Sequence, residues 1–237
     1  MRRGLAHAWF VLGLFACGGE EPAPAPPPAA QSSGAELSQP RGGMEVEGIM
    51  GTIPERKVQA ALEPKFSAFA RCFARGAEQL EFIGGRMEFY FRVGLDGRVE
   101  WVYPRASTIG HRATEQCLLG VAQATRFPEP KGGGAAELAW SFEIDAADGV
   151  RPPVEWEADK LEAVLNEQRG VLEACAQGAG SMVVTVHVAP GGQVMAVGAA
   201  AGSREAAERI DCVVEAVQAW AMPDPGSYPA KISFAAP

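Results

Sequence analysis

The residues of this chain best placed to do chemistry are five cysteines, Cys17, Cys72, Cys117, Cys175 and Cys212, and three histidines, of which His111 and His187 lie beyond the first apolar run. Zinc would need ligands clustered at short spacing, such as CxxC pairs. The cysteines stand far apart, and His111 and His187 do not recur at equivalent places, so no metal is expected. A hydrolase needs a nucleophile, a base and a group that orients the base. Neither imidazole has such a motif around it. His187 alternates with Val186 and Val188, which predicts a solvent-facing strand position, and His111 sits near a helix start as a cap or an exposed side chain. The run Lys131-Gly-Gly-Gly134 lacks the Gly-Lys-Ser/Thr order of a phosphate loop and precedes a strand. Asp145-Ala-Ala-Asp148-Gly149 does not have the spacing of an EF-hand loop and reads as a linker turn. No catalytic residue and no cofactor is expected, and the chain reads as a non-enzyme.

Cys17 has a different context. Arg2 and Arg3 precede an apolar run, Leu5 to Ala16, of twelve residues. That is too short to cross a hydrocarbon core of about 30 Å, and it suits the apolar part of an export signal. The run closes on Leu14-Phe15-Ala16-Cys17, which resembles a bacterial lipobox. Residues 1–16 are then a cleaved signal and Cys17 is the acylated N-terminus; a plain secretory signal that ends in Cys is the alternative. Gly18 after the cysteine implies an outer-membrane address, with the protein facing the periplasm. Residues 17–47 are rich in Pro, Ala, Gly and Ser, with little to bury, and predict an unfolded tether. The formal net charge is -8, without a Lys/Arg cluster, so nucleic acid is not an expected partner. A composition of 47% hydrophobic and 21% charged residues is that of a globular protein.

The elements that position the later cysteines come in a repeat. Phe91 to Val99, FRVGLDGRV, aligns without a gap on Val186 to Val194, VHVAPGGQV, at an offset of 95. At the same offset Cys117–Pro130 falls on Cys212–Pro225, with Cys, Gln, Ala and both prolines identical. Cys72 and Cys175 differ by 103, so the first copy carries about eight extra residues between its first helix and its hairpin. In that helix Val58, Ala61, Leu62, Phe66, Phe69 and Cys72 recur at three- and four-residue steps, with Pro64 forcing a kink or a fresh start. The second copy matches with Leu161, Val164, Leu165, Leu172 and Cys175. Met87, Phe89, Phe91 and Val93 alternate with polar residues and lead through Asp96-Gly97 into a return strand, a hairpin that Val184, Val186 and Val188 repeat through Pro190-Gly191-Gly192. Ser107 or Thr108, and Ser203, are expected to cap a second helix that runs to Phe127-Pro128 and Met222-Pro223. A last strand follows at Glu137 to Ile144 and at Ala230 to Phe234. The expected fold class is α+β: two tandem αββαβ modules, residues 48–146 and 154–237, each with two helices on a three-stranded sheet. Trp101, Trp140 and Trp220 fall in elements, as core or sheet face, and Trp156 in the segment between the copies.

GTIPERKVQAAL, RCF, GLDGRV, CLLGVAQATRFPEP, KGGG and WSFEI together resemble the AgmX/PglI C-terminal domain of myxobacterial and related envelope proteins, a relative of the TonB C-terminal domain. The resemblance covers Gly48 to Ile144 closely and Glu157 to Phe234 loosely. The second copy lacks the glycine run, and Cys72-Phe73 stands where the family often has Cys-Tyr. It implies a protein of envelope or gliding machinery that binds protein partners, here anchored through the lipid expected on Cys17. A partner strand adding to an exposed sheet edge is the expected mode, with the edge at Glu137 to Ile144. The alternative is a periplasmic small-molecule binder or enzyme using a cleft between the copies, lined by Arg105, His111, Glu115 or Trp156. A third reading makes the second copy a stabilising companion of the first.

Stripe cysteines on two helices that pack on one sheet face come close in space. Four cysteines permit three pairings, and the repeat favours Cys72 with Cys117 and Cys175 with Cys212; four unpaired buried thiols are the alternative.

Overall fold

The computed structural model describes residues 50–237. The expected signal 1–16, Cys17 and the tether 17–47 lie outside the described residues, as do residues 48 and 49. The described part is a mixed α+β structure with a three-stranded and a four-stranded sheet.

The first half begins with α1 (Glu55–Leu62), which buries Val58 and Leu62. Pro64 lies in a 3-10 turn at Glu63–Lys65, where the missing N–H interrupts the helical ladder, and the chain re-enters a helix at once as α2 (Phe66–Ala77). The buried face of α2 is Phe69, Cys72, Phe73 and Gly76, spaced three and four apart as a helix requires. Strand β1 (Gly85–Val93) buries Met87, Phe89, Phe91 and Val93 completely. It pairs antiparallel with β2 (Val99–Ser107) on one side and, in unbroken register from Gly85↔Ile144 to Val93↔Ala136, with β3 (Ala136–Ile144) on the other. Helix α3 (Arg112–Gln123) joins β2 to β3.

The second half runs α4 (Glu162–Ala176), β5 (Met182–Val188), β6 (Val194–Ala201), a short α5 (Arg204–Ala207) continuing into α6 (Ile210–Gln218), and β7 (Ala230–Ala236). Its strands lie in the order β6-β5-β7, the counterpart of β2-β1-β3, and β4 (Val154–Trp156) adds a fourth, parallel to Ala230–Ile232. A set of contacts recurs 95 residues on. Phe127 N–H donates to Gly97 O and Met222 N–H to Gly192 O, at 2.9 and 3.0 Å. Gln123 Nε2 donates to Val99 O and Gln218 Nε2 to Val194 O. Gly97 and Gly192 have φ of +77° and +82°, and a Cβ on either would strike the carbonyl of Phe127 or Met222. Turn conformation and close approach both demand glycine there. Disulfides join Cys72 to Cys117, between α2 and α3, and Cys175 to Cys212, between α4 and α6, with Cα separations of 5.7 and 5.5 Å.

Four expectations need correction. His187 is 1% exposed, not solvent-facing, because both faces of β5 are covered: one by the helices of its own half, the other by Phe82 and Ile109 of the first half. His111 is neither exposed nor a side-chain cap; it is buried at the start of α3. Neither Ser107 nor Thr108 caps α3, since the Ser107 hydroxyl bonds Glu115 and the Thr108 hydroxyl accepts from Arg86 N. Ser203 does cap α5, accepting from Ala206 N at 3.1 Å. Trp156 is not in a bare connector, for β4 pairs it with Ile232 and its side chain packs on the core of the second half, making that sheet four-stranded.

Candidate functional site

Two clusters of polar side chains and one sheet edge are the candidates for function. The first cluster is buried at the junction of the halves. Glu115, on the inner face of α3, is fully buried; Ser107 Oγ donates to it at 2.7 Å and Ala199 N, on β6, at 3.1 Å. Burial pushes its carboxyl above the usual carboxylate range, against the hydrogen bonds that favour the charge. Gly198 makes room for it, as a Cβ there would run into the carboxylate. Beside it Arg112 Nε donates to Asp211 at 2.7 Å, and Thr185 Oγ1 approaches Ser107 O at 3.4 Å. His187 Nε2–H donates to Ile109 O at 2.9 Å, which leaves Nδ1 as a buried acceptor without a protein partner. Burial lowers the His187 pKa from 6.5 to about 4. A small cavity of about 140 Å³ adjoins, lined by Phe82, Glu143, Asp145, Glu155, His187 and Lys231. These groups join the halves; none of them offers a substrate-sized space.

The second cluster ties α2 to α3. Gln79 Oε1 accepts from His111 Nε2 at 3.2 Å, and Thr114 Oγ1 donates to Nδ1 at 2.8 Å. Burial holds the imidazole below its ordinary pKa, which fits this neutral form. The order of groups is that of an oriented base with a hydroxyl, although Thr114 is only 2% exposed. Gly76 lets the helices meet here, since a Cβ would collide with Thr114 and Ile83.

Of the cleft residues named from sequence, Arg105 is exposed, paired with Glu88 and lying over the Tyr90 ring, while His111, Glu115 and Trp156 are held by the separate sets of partners just described. The structure does not assemble these four into one site.

The sheet edge is β3. Its inner side pairs with β1 along the whole strand. On its outer side, among the described residues, only Gly51 bridges to it, at Ala136, with Gly51 N donating to Ala135 O at 3.0 Å. Because successive residues of a strand point their amides to opposite sides, the outward position of Ala135 O places the N–H and C=O groups of Ala139, Ser141 and Glu143 outward as well. Next to this edge a groove of about 520 Å³ opens against α1, lined by Ile53, Glu55, Val58, Gln59 and residues Leu138–Ser141. Leu138, Trp140, Phe142 and Ile144 are half-buried beside it. Phe66, which is 48% exposed, extends this apolar row by stacking on Trp140 at 6.1 Å. In the second half β4 occupies the matching edge of β7. The groove and the exposed Phe66 were not foreseen from sequence; the alternation of Leu138, Trp140, Phe142 and Ile144 is the signal that points to the edge.

No family model, no curated protein and no solved structure matches the chain.

Proposed function

We propose that this protein is a non-catalytic, lipid-anchored component of a cell envelope, held to the outer membrane through Cys17, and that it binds a protein partner by adding a strand of that partner to β3. The two halves are then tandem TonB-C-like modules of the AgmX/PglI type, the first binding and the second supporting it. The observation that carries the reading is the open outer edge of β3 from Glu137 to Ile144. The outward backbone donors and acceptors of Ala139, Ser141 and Glu143 there have no partner among the described residues, a half-buried apolar row runs beside them, and the equivalent edge of the second half is already filled. Main-chain hydrogen bonds would supply affinity, and the groove against α1 would read alternate side chains of the added strand. Self-pairing of two β3 strands about Trp140 would set Glu137 opposite Glu143, like charges that destabilise a pair, so a different chain is the better fit.

Ala139→Pro removes an outward N–H while leaving the pairing with β1 in place, and proline is tolerated on edge strands. The reading expects Ala139→Pro to abolish crosslinking from a photoreactive residue at Glu143 to an envelope partner, with the thermal melt close to that of the parent. Retention of every crosslinked species by a folded Ala139→Pro variant refutes it.

A further inference from the structure

The disulfide between α2 and α3 lies at the floor of a groove of about 740 Å³, lined by Cys72, Arg75, Gln79, His111, Gln116 and Cys117 among others. Arg75 is the one side chain of that lining with a fixed charge. Its Nη2 hydrogen-bonds Cys117 Sγ and stands 3.9 Å from Cys72 Sγ. A guanidinium in that place favours a thiolate on either sulfur, because the thiolate is the form that accepts a charge-assisted hydrogen bond. The other disulfide differs. Among the described residues no side-chain donor reaches Cys175 or Cys212, although Cys212 is exposed whereas Cys117 is only half-exposed. Access alone would therefore open Cys175–Cys212 first; the guanidinium of Arg75 beside Cys117 and Cys72 favours the opposite order.

We propose that Cys72–Cys117 is a thiol-exchange site that takes a small anionic thiol into the α2–α3 groove. Arg75 supplies the positive charge that draws such a thiol in, and the amides of Gln79 and Gln116 line the way. The thiolate of the incoming molecule attacks Cys117 Sγ, the more accessible sulfur, since Cys72 is buried. A sulfur–sulfur bond forms between the incoming sulfur and Cys117 as the Cys72–Cys117 bond breaks, and the electron pair of that bond leaves on Cys72 as a thiolate beside Arg75. One disulfide replaces another, with no oxidant consumed. A second thiolate attacking the incoming sulfur releases the small-molecule disulfide and leaves Cys117 as a thiolate, so that the protein gains two electrons and the thiol is oxidised. This site is independent of the β3 edge and stands whether or not a strand adds there.

The test uses the full chain carrying Cys17→Ser, equilibrated in graded mixtures of reduced and oxidised glutathione, alkylated, and mapped as peptides by mass spectrometry. The expected result is that Cys72–Cys117 opens at a more oxidising poise than Cys175–Cys212, with the glutathione adduct on Cys117. Arg75→Gln is expected to make Cys72–Cys117 roughly tenfold harder to open, about 30 mV for a two-electron couple. Arg75→Lys, which keeps the charge, retains most of the parent behaviour. The poise of Cys175–Cys212 in the same molecule reports that each variant remains folded. Opening of the two disulfides together or in the reverse order, an adduct on Cys72, or an Arg75→Gln variant that opens as the parent does, overturns the assignment; a variant in which Cys175–Cys212 also shifts is replaced by Arg75→Lys against Arg75→Met, and equal poise in those two overturns it as well.

Discussion

Acidification is expected to weaken the protein through His187, and the size of the effect follows from its burial. The native imidazole resists a proton until about pH 4, whereas the unfolded chain takes one near 6.5. Between those values the unfolded state binds more protons, so stability is complete above 6.5 and falls as the pH drops through the window. From pH 7 to pH 5 the loss is about 2 kcal/mol, and over the whole interval about 3 kcal/mol, at 1.36 kcal/mol for each pH unit. That is a large share of the 5–15 kcal/mol typical of a folded domain. Lys231 and His111 lie close enough to oppose the charge on His187 and do not rescue it. Glu115 works in the opposite sense, because its raised pKa gives stability at low pH that is lost as the pH rises. A comparison with His187→Gln cancels Glu115, which is unchanged in both proteins, and keeps an N–H near Ile109 O. Urea unfolding at pH 7, 6 and 5 should show the parent losing about 2 kcal/mol more than His187→Gln over that range. Parallel pH profiles for the two proteins refute the argument, because the imidazole would then titrate alike in the folded and unfolded chain.

Loss of either disulfide has a comparable cost. Loops of 45 and 37 residues give about 4 kcal/mol each in the chain-entropy account, so Cys72→Ala/Cys117→Ala and Cys175→Ala/Cys212→Ala should each lower the unfolding free energy from urea titration by that amount at most. Gly97→Ala meets both a positive φ and the Phe127 carbonyl, and a loss of about 1–3 kcal/mol is expected in the same assay. Gly192→Ala should behave alike through Met222. Phe69→Ala opens a hole under the stacked rings of Phe89, Trp140 and Phe142, with an expected cost of about 3–5 kcal/mol by thermal melting and denaturant titration.

The parts of the fold that could be read from sequence are those where one residue type answers one local demand. The pairs Gly97/Gly192 and Phe127/Met222 are the two ends of one repeated contact, so their shared offset marked the same hairpin in both halves. The strands of the first half alternate because one face meets the helices and the other is more open to water. His187 defeated that reasoning: alternation reports a single buried face, and β5 has two, the second supplied by residues some 78 positions earlier. Strand β4 escaped notice because three residues are too few to carry a period. The cap of α3 was misplaced because Ser107, a good cap by type, is engaged by a buried acid three-dimensionally close and invisible in a local window. The β3 edge was legible as an alternating last strand; its groove was not, since Ile53 and Val58 come from the other end of the half.

Glu115 accepts hydrogen bonds from both halves, from the Ser107 hydroxyl of the first and from Ala199 N of the second. Each half therefore supplies a donor to a carboxyl buried between them, and the peptide between residues 145 and 153 adds to the join, since Val150 packs on the first-half core while Arg151 O accepts from the Tyr228 hydroxyl of the second half at 2.7 Å. A chain nicked there would stay together, its two fragments co-eluting until the pH or denaturant that unfolds the intact molecule also parts them.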